Sequence, residues 1–508
     1  MYDVVIIGAG MSGLAAGIRL AMFNRRVCIL ERHYAVGGLN SFYRLDGRNY
    51  DVGLHALTNF APRTAKHGPL PRLLRQLRLS WDDFELAEQI GSVIAFPQSR
   101  LRFNNDPALL AAEIDRSFPT ERDGYARLLN KLLNYDELQS PLAAASSREI
   151  LASVINDPLL VEMLLCPIMF YGSAREHDID WGSFSVLFRA IFLEGLCRPR
   201  RGIRTVLKHL VQRFKRCGGE LQLRAGVREI IPGDNRALNI VMDDGRELQT
   251  QEIISSAGWN ETMRLCQAAR QPVLATTPAS NQISGRSKEI ANGPMSHGGQ
   301  PGNIAFIEAI CTLDCQPHEL GYDDTIVFYN DRPNLNYARP NDFADVTSGI
   351  ICSPNNYRYT DSEAKVDHET NGDTQTNGDI QNVKLPEPVE GTIRLTALAN
   401  YDRWAELEPA EYQHQKRHWF GQMVAAAERF IPNLAQHIVA HDMFTPITVR
   451  HFTGHEHGAV YGAPQKRYDA STHLENLWVC GADQGYVGIV GTLTSGIQVA
   501  NKLLQRNN

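Results

Sequence analysis

Runs of apolar and polar positions divide the chain into recognisable elements. Residues 4–7 (VVII) are all apolar, the pattern of a short strand buried on both faces. Gly8-Ala9-Gly10-Met11-Ser12-Gly13 follows, then helical spacing to about Phe23. A second apolar run, Val27–Leu30, ends at Glu31. Strand, glycine turn, helix, strand and acid within about 30 residues make a β-α-β unit. Residues 70–79 (LPRLLRQLRL) predict a short basic amphipathic helix, and 107–215 carry several helical periods with little strand signal. Residues 220–258 switch to short strands, with Asp243-Asp244-Gly245 as a hairpin-type turn. Residues 303–311, 325–329 and Thr392–Leu398 predict strands, and 412–430 a helix. Asn476–Cys480 predicts a strand. A loop follows it, then a helix with Leu493, Ile497, Ala500 and Leu504 on one face.

Two stretches break the pattern. Residues 367–382 hold a single apolar residue, Ile380, so they cannot bury a core and are expected to be a mobile insertion. Residues 275–302 are polar and rich in Gly, Pro and Ser. No repeat of solenoid length is visible.

Composition narrows the class. The length of 508 residues suggests ~2–4 domains at the usual domain size. Hydrophobic residues at 43% and charged residues at 21% exclude a disordered, collagen-like or coiled-coil chain. A net charge of −6 gives no global field toward nucleic acid. The run Arg198, Arg200, Arg201, Arg204 lacks interleaved aromatics and is expected to be a solvated surface or a phosphate-side contact. Nine scattered cysteines with no C-x-x-C argue against a disulfide framework or zinc ribbon and for a reducing, cytoplasmic compartment. Cys311 and Cys315 are expected to be ordinary thiols, and no metal is expected. No signal peptide is expected ahead of the first strand, and no stretch resembles a lipid-facing helix of ~20 residues.

The first glycine cluster carries the main chemistry. Gly8 permits the tight turn out of the strand, Gly10 lets backbone N–H groups approach a pyrophosphate, and Gly13 lets the helix pack on the strand. Met11 and Ser12 complete the turn, and the helix N-terminus supplies positive potential. Glu31, 18 residues after Gly13, stands where a carboxylate can accept bonds from ribose hydroxyls. The motif predicts dinucleotide binding without choosing between nicotinamide and flavin.

The residues that follow make that choice. Glu31-Arg32-His33 leads to Gly37-Gly38-Leu39, and Asp51-Val52-Gly53-Leu54-His55 comes later. This resembles the FAD oxidoreductases that contain amine oxidases, phytoene desaturases, carotenoid isomerases and retinol saturases. Leu477-Trp478-Val479-Cys480-Gly481-Ala482-Asp483 resembles their second FAD motif, in which the acid bonds the ribityl chain. Gly488-Ile489-Val490-Gly491 then opens the last helix, whose N-terminal dipole would face the flavin pyrimidine. Ala225-Gly226-Val227 matches the strand whose backbone holds the adenine. Amine oxidases usually carry Gly-Gly-Arg, whereas Leu39 follows Gly38 here. Together with DVGLH, Phe96-Pro97, Phe118-Pro119, residues 202–227 and the segment from Thr445-Pro446 to Tyr461-Gly462, this places the chain nearer the carotenoid isomerase and retinol saturase branch.

The resemblance implies an α/β fold: a discontinuous Rossmann-like FAD-binding domain at 1–65, 200–270 and 455–508, and a substrate domain at 66–199 and 271–454 with a mixed sheet and helical cap. It implies FAD and hydride exchange at C–C or C=C bonds of a long apolar isoprenoid or polyene: desaturation, saturation or cis–trans isomerisation. Amine-oxidase-like C–N oxidation is the alternative, and the external electron partner is left open. The catalytic residues are not identified. His55 is the one candidate, set against a purely structural hydrogen bond. His451, His455 and His457 (HFTGHEH) are expected to form a hydrogen-bonded or flavin-adjacent loop in a strand-like context, not a metal site. Residues 159–172 (LLVEMLLCPIMFYG) are either a cap over an apolar tunnel or a core helix. Arg72, Arg75 and Arg78 beside Leu70, Leu73, Leu74 and Leu77 give either an interfacial helix meeting a bilayer, from which such a substrate would enter, or a surface helix with leucines in the core.

Overall fold

The computed structural model describes residues 2–53, 55–135, 144–267, 300–359 and 390–506. The two polar stretches, 275–302 almost entirely and 367–382 wholly, lie outside the described residues.

The apolar runs at the chain's start, middle and end meet in one parallel sheet. Its order is Leu477–Val479, Thr250–Ser255, Tyr2–Ile7, Val27–Leu30, Glu220–Gln222. Ile6 lies opposite Ile29 on one side and Ile254 on the other. Both faces are covered, which is why these strands read as continuous apolar runs. On one face Val4, Ile6, Val27 and Ile29 pack against helices Met11–Ala21, Ile203–Arg216 and Gly488–Arg506. On the other, Val5, Ile7, Cys28 and Leu30 pack against helix Trp259–Gln267 and a three-stranded antiparallel sheet, Val227–Pro232, Ala237–Met242 and Glu247–Leu248. The Asp243–Gly245 turn joins two of those strands, with Gly245 at φ +86°.

Helices Met11–Ala21 and Gly488–Arg506 cross in close contact. A Cβ on Gly496 would sit 2.0 Å from the Ser12 carbonyl oxygen, so only glycine permits this approach.

The second unit is a seven-stranded mixed sheet. Its order is Ile438–Phe444, Ala305–Leu313, Gly391–Ala399, Ala344–Cys352, Ile326–Asn330, Ser92–Phe96, Ser99–Phe103. Ile326–Asn330 and Ser92–Phe96 run parallel and the other neighbours antiparallel. Alternation divides its side chains between two cores. Ile307, Ala309, Leu395 and Ala397 face helix Pro409–Ala427. Phe306, Phe328, Ile350 and Leu398 face helices Pro158–Gly172 and Trp181–Phe188. The helix Pro158–Gly172 begins at Asp157, whose carboxylate accepts from Leu159 N at 2.8 Å. It is buried nearly all round, as its uninterrupted apolar sequence requires.

One pair of alternatives is decided and two expectations change here. The basic amphipathic helix spans Pro69–Leu77, and Leu70, Leu73, Leu74 and Leu77 are buried in the core shared with helices Met11–Ala21 and Gly488–Arg506. Arg72, Arg75 and Arg78 remain exposed, so the apolar edge offered for a bilayer is spent on the core. The segment around His451 is helical, Pro446–Thr453, not strand-like. Thr445 and Thr448 form a reciprocal capping box that starts it, and Gly454 at φ +80° ends it. Finally, Arg198 is neither solvated nor a phosphate-side contact. It is buried, with Nη2 2.9 Å from Asp51 Oδ2.

Candidate active site

The two glycine turns face each other. Gly8, at φ +93°, turns the chain out of the first strand, and a Cβ on Gly13 would lie 2.1 Å from the Gly8 carbonyl oxygen. Gly37 N donates to Ala9 O at 2.9 Å, and Gly10 and Gly37 form a parallel bridge. Gly37 and Gly38 have φ of +111° and +56°. A Cβ on Gly38 would stand 3.7 Å from Gly10 Cα, and Leu39 continues the turn. Gly10 caps the helix Met11–Ala21 with no side-chain hydrogen bond and no acid in the first turn. A Cβ on Gly10 would meet no atom within 4 Å. An uncapped positive helix end beside an open glycine fits a pyrophosphate.

Glu31 closes this cradle. Its Oε2 accepts from Ala9 N at 2.7 Å and its Oε1 from His33 N at 2.9 Å. Each oxygen retains a lone pair for a ribose hydroxyl. The stretch after Glu31 is held by the 224–227 segment: Ala225 N donates to Glu31 O at 2.8 Å and Arg224 N to His33 O at 3.0 Å. Val227 is thereby brought beside the acid, and Arg32 lies between Gly226 and Gly454. His33 Nδ1 accepts from Ala35 N at 3.2 Å. Its Nε2 is buried without a hydrogen-bond partner, a donor suited to a ligand.

The far end of the chain reaches the same turn. Ser12 Oγ would be 3.3 Å from a Cβ on Gly481, and Gly481 N donates to Ser495 Oγ at 2.7 Å. Burial pushes the neighbouring Cys480 thiol up to about 12. Asp483 is buried, with Oδ2 accepting from Trp259 N at 2.5 Å and Oδ1 from Ala463 N at 2.6 Å. It ties three chain segments together, and the ribityl bond implied by the resemblance falls to its remaining lone pairs. Gly488, at φ +71°, opens the last helix, and Ile489, Val490 and Gly491 form its first turn.

The segment from Asp51 to His55 links this cradle to the mixed sheet. Arg198 Nη2 pairs with Asp51, and its Nη1 donates to His55 O at 3.2 Å. Arg394, from strand Gly391–Ala399, donates to Asp51 O at 2.8 Å and Val52 O at 2.7 Å, and pairs with Glu308. His55 Nε2 shares a hydrogen bond of 2.9 Å with Thr396 Oγ1. Burial, and then Arg394 and Arg198, hold the imidazole well below the ordinary histidine range, so it is neutral. His55 and Glu308 are set deep in the protein, yet keep 16% and 13% of their side-chain surface accessible. Neither side chain is fully enclosed by its neighbours. Tyr171 and Tyr461 are deep-set and partly accessible in the same way, and the Tyr171 hydroxyl has no hydrogen-bond partner among the described residues. Gly172 brings the cap helix onto Val487, beside the start of the last helix: a Cβ there would be 2.8 Å from Val487 Cγ2.

Sequence reasoning missed Glu308 and Arg394, and singled out Tyr171 only as part of the 159–172 run. The available signal was a charge inside an apolar strand, at AFIEAICTL and GTIRLTALA. The histidines of HFTGHEH do not converge. His455 Nδ1 lies 3.6 Å from Glu261 Oε1, His457 Nδ1 3.2 Å from Gly302 O, and His451 is exposed. Among the described residues, Asp314, Cys315 and His437 bring their ligand-type atoms within 4.8 Å of one another. They lie away from the glycine cradle, where the strands Ala305–Leu313 and Ile438–Phe444 end, and Cys311 is not among them.

A parallel sheet with facing glycine turns, joined to a mixed sheet through a buried charged segment, defines a flavin-dependent oxidoreductase. Residues 11–273 match the family described as flavin containing amine oxidoreductase, and the chain belongs to that family. It is an FAD-dependent enzyme. It is 24% identical to all-trans-retinol 13,14-reductase of Danio rerio, across 99% of this chain and 86% of that protein. It is also 24% identical to the chloroplastic prolycopene isomerase of Arabidopsis thaliana, across 54% of this chain and 50% of that protein. Among solved structures, an oxidoreductase from Methanosarcina mazei superposes with a TM-score of 0.62 at 15% identity, covering 98% of this chain and 99% of that one. Wild-type putrescine oxidase bound to putrescine gives 0.57 at 16%, covering 99% of each chain. Both share the fold. No helix among the described residues is long and apolar enough to cross a membrane.

Proposed function

We propose that this flavoenzyme acts on the C–C or C=C bonds of a long apolar isoprenoid or polyene. The observation that carries the reading is a group of partly accessible side chains where the 51–55 segment meets the mixed sheet. Aromatic and aliphatic side chains, Tyr171, Phe306, Tyr461 and Val487, belong to the core on this side of the sheet, and the polar groups there are His55 and Glu308. Bound flavin supplies or accepts hydride. The protein's part is to hold an extended apolar chain in place and exclude water, to which these apolar side chains are suited. The relatives named retinol reductase, prolycopene isomerase and phytoene desaturase support the same substrate class.

We further propose that Gly8, Gly10, Gly13, Glu31, Gly37, Gly38, Val227 and Asp483 hold the FAD, and that the 1–65, 200–270 and 455–508 segments form its domain. The exposed edge of Arg72, Arg75 and Arg78 would meet anionic headgroups without insertion. The test is incubation of FAD-loaded protein, oxidised and reduced, with all-trans-retinol, prolycopene and phytoene, and separately with putrescine. A polyene altered in hydrogen content or double-bond geometry supports the reading. Peroxide released from putrescine, with every polyene unchanged, replaces it with amine oxidation.

A further inference from the structure

Glu308 sits midway along the strand Ala305–Leu313, opposite Thr396. Phe306, Glu308 and Ile310 share one face by alternation, so this carboxyl group is placed in the layer that faces the cap helices and the flavin segment. A carboxylate there carries a large desolvation cost. Arg394 answers only part of it. Its guanidinium pairs with Glu308 Oε1, but is also held by the main-chain oxygens of Asp51 and Val52. Positioning the 51–55 segment therefore does not require an acid. Glu308 Oε2 has no hydrogen-bond donor among the described residues. It lies 3.8 Å from His55 Nε2, beyond direct hydrogen-bond distance. The His55 ring is fixed at Nε2 by Thr396, and its main-chain oxygen is fixed by Arg198 and by Tyr357 OH at 2.9 Å.

We propose that Glu308 is the proton-exchanging carboxyl group of this enzyme, with His55 and Thr396 as its positioning partners. The inference rests on the polyene reading. In the saturating direction, bound reduced flavin would supply hydride to one carbon of a double bond, being oxidised by two electrons. Glu308 would give its proton to the electron pair left on the neighbouring carbon, forming the second C–H bond. The resulting carboxylate would lie beside Arg394 and be reprotonated from water. Desaturation runs the same exchanges in reverse. An external two-electron donor or acceptor resets the flavin. Burial raises the Glu308 carboxyl above its ordinary range against the opposing pull of Arg394. The other groups that face it are His55, Arg198, Tyr461 and Cys352.

The experiment compares wild type, Glu308→Gln and Glu308→Asp as FAD-loaded proteins. The first measurement is infrared titration of the carboxylic acid C=O band, which needs no substrate. A band absent from E308Q and ionising above the ordinary glutamate range is expected; ionisation within that range overturns the proposal. The second is single turnover of all-trans-retinol by dithionite-reduced protein in D2O. Wild type should place one solvent deuterium next to the hydride-receiving carbon. E308Q should be slower by about 10²–10⁴-fold with FAD content unchanged, and E308D should recover part of the rate with a shifted pH profile. Wild-type turnover matched by E308Q, or isomerisation without deuterium uptake, overturns the proposal. If E308Q does not fold, E308D identical to wild type in band and pH profile does the same. Failure of wild type on every polyene, with the infrared result intact, refutes the substrate reading and leaves the proton-holding carboxyl standing.

Discussion

One substitution made at two places should have opposite effects. Gly496 and Gly421 both lie inside 19-residue helices, Gly488–Arg506 and Pro409–Ala427. Alanine at a helix interior gains up to about 1 kcal/mol over glycine. At Gly421, which is exposed, a Cβ would meet nothing within 4 Å, so Gly421→Ala should show that gain. At Gly496 the Cβ would lie 2.0 Å from Ser12 O, 2.9 Å from Ser12 C and 3.0 Å from Ala16 N. These are main-chain atoms of the helix Met11–Ala21, and no rotamer change relieves them. The two helices must separate, at about 1–3 kcal/mol for overpacking. The helical gain offsets up to about 1 kcal/mol of this, which leaves Gly496→Ala less stable by up to about 2 kcal/mol. Ser12 lies in the first turn of the helix whose end faces the pyrophosphate site, so FAD affinity should fall as well. Urea unfolding at constant m-value, with FAD titration of each variant, measures both effects. Gly496→Ala as stable as wild type, or shifted the same way as Gly421→Ala, would refute the argument from helix contact.

Arg198→Met strands the Asp51 carboxylate in the interior and should destabilise the protein by about 3–5 kcal/mol. Adding Asp51→Asn should recover part of the loss in a double-mutant cycle of urea midpoints. The partly buried His455–Glu261 pair should shape stability against pH. Burial opposes charge on His455, but Glu261 outweighs it and raises the imidazole above 6.5. The His455 contribution is therefore full below 6.5 and lost as pH rises through the higher folded value. Burial likewise opposes charge on Glu261, but His455 and the Glu456 amide outweigh it and lower the carboxyl below 4.5. That contribution is present above 4.5 and lost as pH falls through the lower folded value. The stability difference between wild type and His455→Gln should be greatest between these limits; a flat profile contradicts the pairing. Leu73→Ala should cost about 2–5 kcal/mol of stability, because Leu73 is core. Reversing Arg72, Arg75 and Arg78 to Glu should spare the fold and abolish salt-sensitive binding to anionic vesicles, at about 1 kcal/mol per arginine; co-sedimentation distinguishes the two.

The cradle was legible in the sequence because its constraints are local. Both strands are buried on two faces, so VVII and VCIL read as runs, and Gly8 sits where the turn needs positive φ. The mixed sheet was less legible. Ser92–Phe96 and Ser99–Phe103 form a hairpin around Pro97-Gln98, and Ala344–Cys352 begins with polar residues, so neither stood out. Ile438–Phe444 is an edge strand, partly exposed along most of its length, and its short alternation was missed. The leucines of Pro69–Leu77 show the limit of a helical stripe: periodicity marks an apolar face but not what covers it. Glu308 and Arg394 are 86 residues apart, and each resembled an ordinary polar position in a strand until the sheet register joined them. Of the two readings of residues 159–172, the structure shows the core helix, with Tyr171 only partly buried at its end.

The order of the parallel sheet also governs how the protein is made. The first strand lies between Val27–Leu30 and Thr250–Ser255, and Leu477–Val479 closes the edge. The helix after the glycine turn finds its closest helical neighbour in Gly488–Arg506. A ribosome adding about 5–20 residues per second takes tens of seconds or more to travel from one helix to the other. Throughout that interval the apolar side of Met11–Ala21 that receives Gly496 is uncovered. Chaperone capture of the nascent amino-terminal unit, released only when the closing strand and helix emerge, follows from this topology. A ribosome stalled before residue 477 should hold a chain that does not retain flavin.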